Sequence, residues 1–311
     1  MKELSIIIVN WNTADLTVDC LRSLYSNCDN SLIDVWLVDN NSSDDSVARI
    51  KAEFGDKVHL IENKENLGFA KANNQALRLV KTPYVALLNS DTIVEKNAFE
   101  NMIEYLKNNS DVGAIGPQLP MPNGTLKILS CGYLPSIRSV VNHSYGLLRF
   151  PILNRFIKRG LFLPYYNFKE PLDVEWLSGA CIVTKKEVLE TAGLLPEDYF
   201  MYAEDMQWCE NILKAGWKVQ YFPHSVIWHL MGASNKEKKV STNWLINLRL
   251  YYNTRTDKKV NKVLFSFILF SGYFIRYVST KGIALILKKE WAKVKSVQFK
   301  AYMNASLKHL D

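Results

Sequence analysis

Three acidic positions and one histidine carry the chemistry this sequence can offer. The run Tyr84-Val85-Ala86-Leu87-Leu88-Asn89-Ser90-Asp91 is apolar until it stops at a carboxylate. Asp91 is therefore expected at the end of a buried strand, where it can hold a metal ion. Glu204-Asp205 follows the aromatic stretch Tyr199-Phe200-Met201-Tyr202, and Met206, Cys209 and Leu213 recur behind it at helical spacing. In a first helical turn the macrodipole favours an ionised carboxylate. An ionised Asp205 can take a proton from an attacking hydroxyl, a contribution of roughly 10²–10⁴ in rate when the geometry is right. A cation in one place and a base in another imply transfer of a group activated by a diphosphate.

His229, in Trp228-His229-Leu230-Met231-Gly232, lies just beyond the last strand the pattern predicts and is a candidate nitrogen ligand for the same ion. Carboxylate and diphosphate oxygens suit magnesium or manganese, and an imidazole ligand tilts the choice toward manganese. Each residue also has an ordinary structural reading. The acid pair can cap its helix, and a lone histidine beside apolar residues is often a hydrogen-bonded core group. The apolar approach to Glu204-Asp205 favours a site. There is no G-x-G-x-x-G after the first apolar run and no G-x-x-x-x-G-K-[ST] anywhere, so phosphates need a cation rather than a glycine-rich loop.

The elements that must position these groups alternate. Leu4–Val9, Val35–Val38, Val58–Ile61, Tyr84–Leu88 and Val112–Ile115 read as strands, with helices near 13–26, 44–53, 69–80 and 95–107 between them. Strands separated by helices predict an α/β fold with a mainly parallel central sheet covered on both faces. Ligands of such sheets bind beyond the carboxyl ends of the strands. Asn10 and Asn12, Asp39-Asn40-Asn41-Ser42, Glu62-Asn63 and Asn89-Ser90-Asp91 all fall there. Any one of these turns is explained by capping; four together favour a site.

Residues 118–172 are rich in proline and aromatics and read as an irregular insert on the acceptor side, with a short helix near 146–159. Regular structure returns at Val174–Thr184, with helices over 185–192 and 204–215 and a strand at Trp217–Phe222.

Length and charge bound the rest. The chain has 311 residues and is 48% hydrophobic, enough for a substantial core. Residues 255–311 hold 12 Lys/Arg against 3 Asp/Glu, and the remainder is nearly neutral. Nucleic acid and anionic membranes are the usual partners of such asymmetry. The tail decides for a membrane and against nucleic acid. Val263–Ile275 is apolar but shorter than the ~20 residues a spanning helix needs, and Arg276, Lys281, Lys288, Lys289, Lys293 and Lys295 follow it with Trp291 among them. That pattern suits a helix in the headgroup region. The domains expected are 1–254, with the insert at 118–172, and a basic amphipathic tail at 255–311. Five scattered cysteines without zinc spacing read as reduced, buried thiols. With no basic leader before the short run Leu4–Val9, the expected location is the cytoplasm, peripheral on the inner face of the cell membrane.

Six motifs occur in order: Ile6-Ile7-Ile8-Val9-Asn10-Trp11-Asn12, Val38-Asp39-Asn40-Asn41-Ser42, Asn66-Leu67-Gly68-Phe69-Ala70-Lys71-Ala72-Asn73-Asn74, Leu88-Asn89-Ser90-Asp91, Trp176-Leu177-Ser178-Gly179-Ala180 and Glu204-Asp205. Over residues 4–232 the chain resembles the bacterial family-2 glycosyltransferases of GT-A fold, and within them the rhamnosyltransferase-like enzymes of cell-surface polysaccharide assembly. The resemblance implies inverting transfer from a nucleotide-sugar donor, rhamnose from dTDP-rhamnose being favoured, to a lipid-linked glycan acceptor. It implies that Asp39 holds the nucleobase or ribose, with Val9 and Asn10 lining that pocket and Gly68, Asn74 and Asn89 bordering the nucleotide. Asp91 and His229 would bind Mn2+ or Mg2+, Asp205 would be the base, and Trp176, Gly179 and Glu204 would shape the sugar and acceptor side. Two positions depart from the family. Its Asp-x-Asp is Asn89-Ser90-Asp91 here, and Asn73 stands where relatives often carry arginine, so a diphosphate contact would either move to Lys71 or be lost. The competing readings are a sugar nucleotidyltransferase and a non-catalytic sugar-binding or membrane scaffold.

Overall fold

The computed structural model describes residues 2–121, 131–147, 160–163, 168–230 and 240–308. In chain order the elements are β1 (Leu4–Asn10), α1 (Ala14–Asn27), β2 (Ile33–Asp39), α2 (Ser46–Phe54), β3 (Val58–Glu62), α3 (Phe69–Leu77), β4 (Tyr84–Asn89), β5 (Thr92–Val94), α4 (Ala98–Asn108) and β6 (Val112–Gln118). They continue with β7 (Cys131–Gly132), α5 (Ile137–Ser144), β8 (Leu172–Asp173), β9 (Trp176–Leu177), β10 (Cys181–Lys185), α6 (Lys186–Ala192), α7 (Glu204–Lys214), β11 (Lys218–His229), α8 (Asn243–Thr254), α9 (Lys259–Leu287) and α10 (Glu290–Ala305).

The main sheet runs β3-β2-β1-β4-β10-β6-β11-β5, with β8 beside β11. Leu4, Ile6, Ile7 and Ile8 are all fully buried, so β1 is covered on both faces, as its unbroken apolar run requires. Leu4, Ile6 and Ile8 share one core with Val18, Leu21 and Leu24 of α1, Ile50 and Phe54 of α2, and Phe99 and Met102 of α4. Each such aliphatic side chain contributes roughly 1.5–3 kcal/mol by leaving water. The first four strands are parallel. β10 then runs antiparallel to both β4 and β6, and β11 is parallel to β6 but antiparallel to β5 and β8. The sheet is thus parallel in its first half and mixed in its second. The last strand extends well past Phe222, through a register shift between Phe222 and Val226, so His229 is its final residue rather than a loop residue beyond it.

The chain forms two compact units, one of residues 1–131 and 165–237, the other of residues 132–164 and 238–311. This differs from the expected boundary at 254. Within the second unit Gly272 of α9 lets the helix approach α5 closely: a Cβ there would lie 2.5 Å from that of Ser144. The His143 ring and the Tyr273 hydroxyl are hydrogen-bonded at 2.9 Å, and Tyr145 and Ser271 hydroxyls at 2.7 Å. Tyr252 of α8 stacks on Phe265 of α9 with centroids 3.9 Å apart. The α5 region and α8 therefore pack with the tail. The expected helix near 146–159 falls almost wholly outside the described residues.

The apolar run at 263–275 sits inside a much longer helix. α9 has 29 residues and contains an 18-residue window of mean hydropathy 1.4, because Arg276 and Lys281 interrupt the apolar run without breaking the helix. By length and composition alone this longer helix is long and apolar enough to cross a membrane, with the apolar run at 263–275 as one part of it.

Candidate active site

The polar rim forms because the first strands end in register. Val9 pairs with Val38 and Asn89, Asn10 with Asp39, and Asp39 with Glu62. Asn10 is fully buried and organises this edge. Its Nδ2 donates to Asp39 Oδ1 at 2.7 Å and to Ser42 Oγ at 3.0 Å. Its Oδ1 accepts from the Thr13 and Thr17 hydroxyls, both at 2.7 Å. The second Asp39 oxygen accepts the Ser42 N–H at 2.9 Å. Asp39 is therefore a rigidly held, almost fully buried acid whose remaining lone pairs are the only ones left to a ligand. Asn40 does the same for the next turn: its Oδ1 accepts the Leu67 N–H and an Asn63 amide proton, both at 3.1 Å, and its Nδ2 donates to the Gly68 carbonyl at 3.2 Å. Sequence reasoning assigned no role to Thr13 or Thr17, and placed Asn40 at the rim without a partner of its own. The signal available was the i, i+4 spacing of two threonines straight after Asn10.

Asp91 and His229 meet. β5 pairs with the end of β11 so that Thr92 lies opposite His229, and His229 Nε2 is 3.2 Å from Asp91 Oδ1. Both side chains are largely buried, and the other imidazole nitrogen, Nδ1, has no hydrogen-bond partner among the described residues. A buried polar atom left unpaired costs roughly 1–3 kcal/mol, which a ligand can relieve. Among the described residues no three His, Cys, Asp or Glu side chains cluster. One carboxylate and one imidazole fit a divalent ion that completes its shell with diphosphate oxygens and water. Behind them, the Asn89 carbonyl accepts the Thr92 hydroxyl at 2.7 Å. Ser90 and Thr13 hydroxyls lie 3.1 Å apart, tying the turn that carries Asp91 to the Asn10 cluster.

The acid pair is set by backbone strain upstream of α7. Tyr202 and Ala203 both have positive φ, at 71° and 80°, a conformation that costs non-glycine residues of order 1–3 kcal/mol each. The segment is held down at the start of α3, where the Phe69 N–H donates to the Phe200 carbonyl at 3.0 Å. Gly68 permits that contact, since its φ is +80° and a Cβ would sit 2.4 Å from the same carbonyl. Asp205 is then desolvated and gripped: Oδ2 accepts the Gly179 N–H at 3.1 Å and Oδ1 the Met206 N–H at 2.8 Å. Burial raises its pKa, and those two donors act against the rise. Glu204 is pushed up to about 8 by burial and then by the charge of Asp205, and its Oε2 has no partner. Near neutral pH Glu204 is therefore protonated, while Asp205 keeps two backbone donors on its oxygens.

A continuous strip of backbone joins the two halves of the site. The Asn89 N–H donates to the Ala180 carbonyl at 2.9 Å, and the neighbouring Gly179 N–H is the one on Asp205. Asp91 lies two residues beyond Asn89. The remaining candidates divide. Gly179 lies beside Asp205, where a Cβ would meet the Phe69 ring at 3.0 Å. Trp176 is buried in the wall, next to Leu177, whose N–H reaches Cys209 of α7. Asn74 is fully engaged elsewhere: its amide donates to the Leu195 carbonyl and Glu197 and accepts the Leu195 N–H, which fixes the segment leading to the acid pair. Asn73 is buried and donates to the Phe69 carbonyl at 2.9 Å, whereas Lys71 is exposed. Cys20 and the other four cysteines are buried and unpaired.

Residues 5–127 match the family model for glycosyl transferase family 2. The chain is 25% identical over 212 residues to an N-acetylglucosaminyl-diphospho-decaprenol L-rhamnosyltransferase of Mycobacterium tuberculosis, covering 63% of this chain and 66% of that protein. It is 25% identical over 224 residues to a low-salt glycan biosynthesis hexosyltransferase of Haloferax volcanii, covering 67% and 61%. The chain thus spans slightly less than two thirds of these relatives' lengths. Among solved structures it is similar to a mannosyltransferase from Pyrobaculum calidifontis in complex with GDP-Man and Mn2+, with TM-score 0.59, 19% identity and coverage of 98% and 85%. It is also similar to S. aureus TarS in complex with UDP-GlcNAc, with TM-score 0.57, 14% identity and coverage of 99% and 82%. The α/β fold is that of the GT-A enzymes, and the match to glycosyl transferase family 2 covers residues 5–127, about two fifths of the chain.

Proposed function

We propose that this chain moves a sugar, with inversion, from a nucleotide-diphosphate donor to a lipid-linked or cell-surface glycan on the cytoplasmic face of a membrane. The observation that carries the reading is Asp205: a buried carboxylate that accepts two backbone N–H donors and follows an apolar, strained segment. The acceptor hydroxyl gives its proton to Asp205 as its oxygen forms the new bond to the anomeric carbon. The bond from that carbon to the diphosphate breaks, and its electron pair leaves with the diphosphate oxygen. Asp39 and the Asn10 cluster hold the nucleoside end. Glu204, protonated, can donate a hydrogen bond to a sugar oxygen without adding a second negative charge beside the base. When bound at Asp91 and His229, a divalent ion offsets the charge on the departing diphosphate.

Rhamnose is the donor sugar we propose, supported by the name of the mycobacterial relative. The same relative's decaprenol-linked substrate supports a lipid-linked acceptor. Incubating the protein with a panel of nucleotide sugars, manganese and a lipid-linked glycan, and weighing the products by mass spectrometry, tests the reading. Release of nucleoside diphosphate with a glycan heavier by one deoxyhexose is expected. Pyrophosphate release would assign a nucleotidyltransferase, and no turnover with any donor would favour a sugar-binding scaffold.

A further inference from the structure

The helical unit carries two apolar faces on one helix. The inner face of α9, through Phe265, Ile268, Leu269, Gly272 and Tyr273, is buried. Opposite it, Val260, Val263, Phe267, Phe274, Val278 and Leu285 recur at helical spacing and are all exposed. This outer stripe extends for about 40 Å at 1.5 Å per residue. It culminates at the elbow between α9 and α10, where Leu285 and Ile286 are 70% and 80% exposed and Trp291 is 57% exposed. Lys288 turns the chain there with φ 48°, and Lys281, Lys289 and Lys293 stand exposed around the turn. Val294 and Val297 continue the apolar face along α10.

So large an apolar surface needs a partner, and the ring of lysines specifies an anionic one. An aromatic at the apolar–polar border is a further mark of a lipid interface. The packing of α9 decides how it meets the bilayer. Arg276 lies 4.2 Å from the Phe299 ring centroid of α10 and donates to the His143 carbonyl of α5, so α9 cannot cross without drawing these elements after it. α10 carries Glu290, Lys293, Lys295 and Lys300, and charges are expensive in hydrocarbon. We propose that the outer stripe of α9 and the elbow at Leu285–Trp291 seat this unit in the headgroup region of an anionic bilayer, with α9 lying in the membrane plane rather than spanning it. The proposal extends the membrane location named above and is independent of the transfer chemistry.

The test uses the full chain and vesicles of phosphatidylcholine, alone or mixed with phosphatidylglycerol. Sedimentation should show binding to the mixed vesicles only. The variants Leu285→Ser/Ile286→Ser and Lys288→Gln/Lys289→Gln should each weaken it by roughly tenfold or more, given the worth of each buried apolar group and each surface lysine. Hydrolysis of a soluble nucleotide sugar should stay unchanged in both variants, so failure of this proposal is separable from failure of the enzymatic one. Nitroxide labels at Phe267→Cys, Phe274→Cys and Leu285→Cys, all on the outer stripe, the five native cysteines being buried, should report one shared shallow depth. A depth that changes steadily along the helix would overturn the in-plane reading in favour of spanning. Equal binding to neutral vesicles, or a dimer in solution that protects the labels, would overturn the anionic membrane as the occupant.

Discussion

The Gly179 N–H donates to Oδ2 of Asp205 at 3.1 Å, and one residue on, the Ala180 carbonyl is bonded to the end of β4. Asp205 is therefore fastened to the same strand edge that presents Asp91. If the two act on opposite ends of one reacting bond, as proposed above, this backbone link holds them in fixed relation, the arrangement that electrostatic and proximity contributions to catalysis require.

Glu204 makes the protein's stability fall as pH rises. Below its ordinary value of 4.5 the group is protonated folded or unfolded. Between there and about 8 the unfolded chain releases the proton while the folded one retains it, so folding is progressively disfavoured. Glu204→Gln keeps the shape of the protonated acid and removes the slope. Its unfolding free energy should overtake the wild type's as pH rises from 5 to 8, each pKa unit being worth ~1.36 kcal/mol. Urea melts across that range check this, and a variant less stable than wild type at pH 8 would contradict it.

Gly68→Ala should damage fold and function together. The new Cβ meets the Phe200 carbonyl at 2.4 Å on a backbone with φ +80°, so the segment leading to Asp205 must move. A loss of roughly 1–3 kcal/mol is expected, with kcat falling more than KM for the donor rises. At Gly179 the nearest atoms belong to the Phe69 ring at 3.0 Å, which can shift, so Gly179→Ala should cost less stability. Equal unfolding midpoints for wild type and Gly68→Ala would sink this account of the turn.

Much of this arrangement was legible as a pattern and some was not. Ile6–Val9, Val35–Val38 and Val85–Leu88 are apolar runs in β1, β2 and β4 that end at polar residues, and the pattern follows from their burial in the sheet. β5 has three residues, too few for any period. The end of β11 was hidden by Pro223-His224-Ser225, where the ladder slips. That β10 runs antiparallel between β4 and β6 depends on pairing distant in sequence, which periodicity does not encode. Asp91, Asp205 and His229 stood out by charge in apolar surroundings, and the contact between Asp91 and His229 could be proposed from chemistry alone. The service of Asn74 to Leu195 was invisible, because an amide that holds a backbone looks the same in sequence as one that holds a ligand.

Asp91→Asn and His229→Gln should each raise the manganese concentration needed for nucleotide-sugar binding. Outer partners of metal ligands are worth roughly 10–100-fold in affinity, and direct ligands should matter no less. Calorimetric titration with donor and increasing manganese measures the shift, and circular dichroism checks that the fold survives. Chelation should abolish donor binding to the wild type. Donor affinity indifferent to manganese in all three proteins would remove the ion from the site.

The most direct test is Asp205→Asn, measured for transfer and for donor binding on the same preparation. Asparagine keeps the size of the side chain and one acceptor oxygen but cannot take the proton. Transfer should fall by roughly 10²–10⁴ while the dissociation constant of the donor stays within a few-fold of wild type by calorimetry. Undiminished turnover in Asp205→Asn, with donor binding intact, would contradict the assignment of this buried carboxylate as the base.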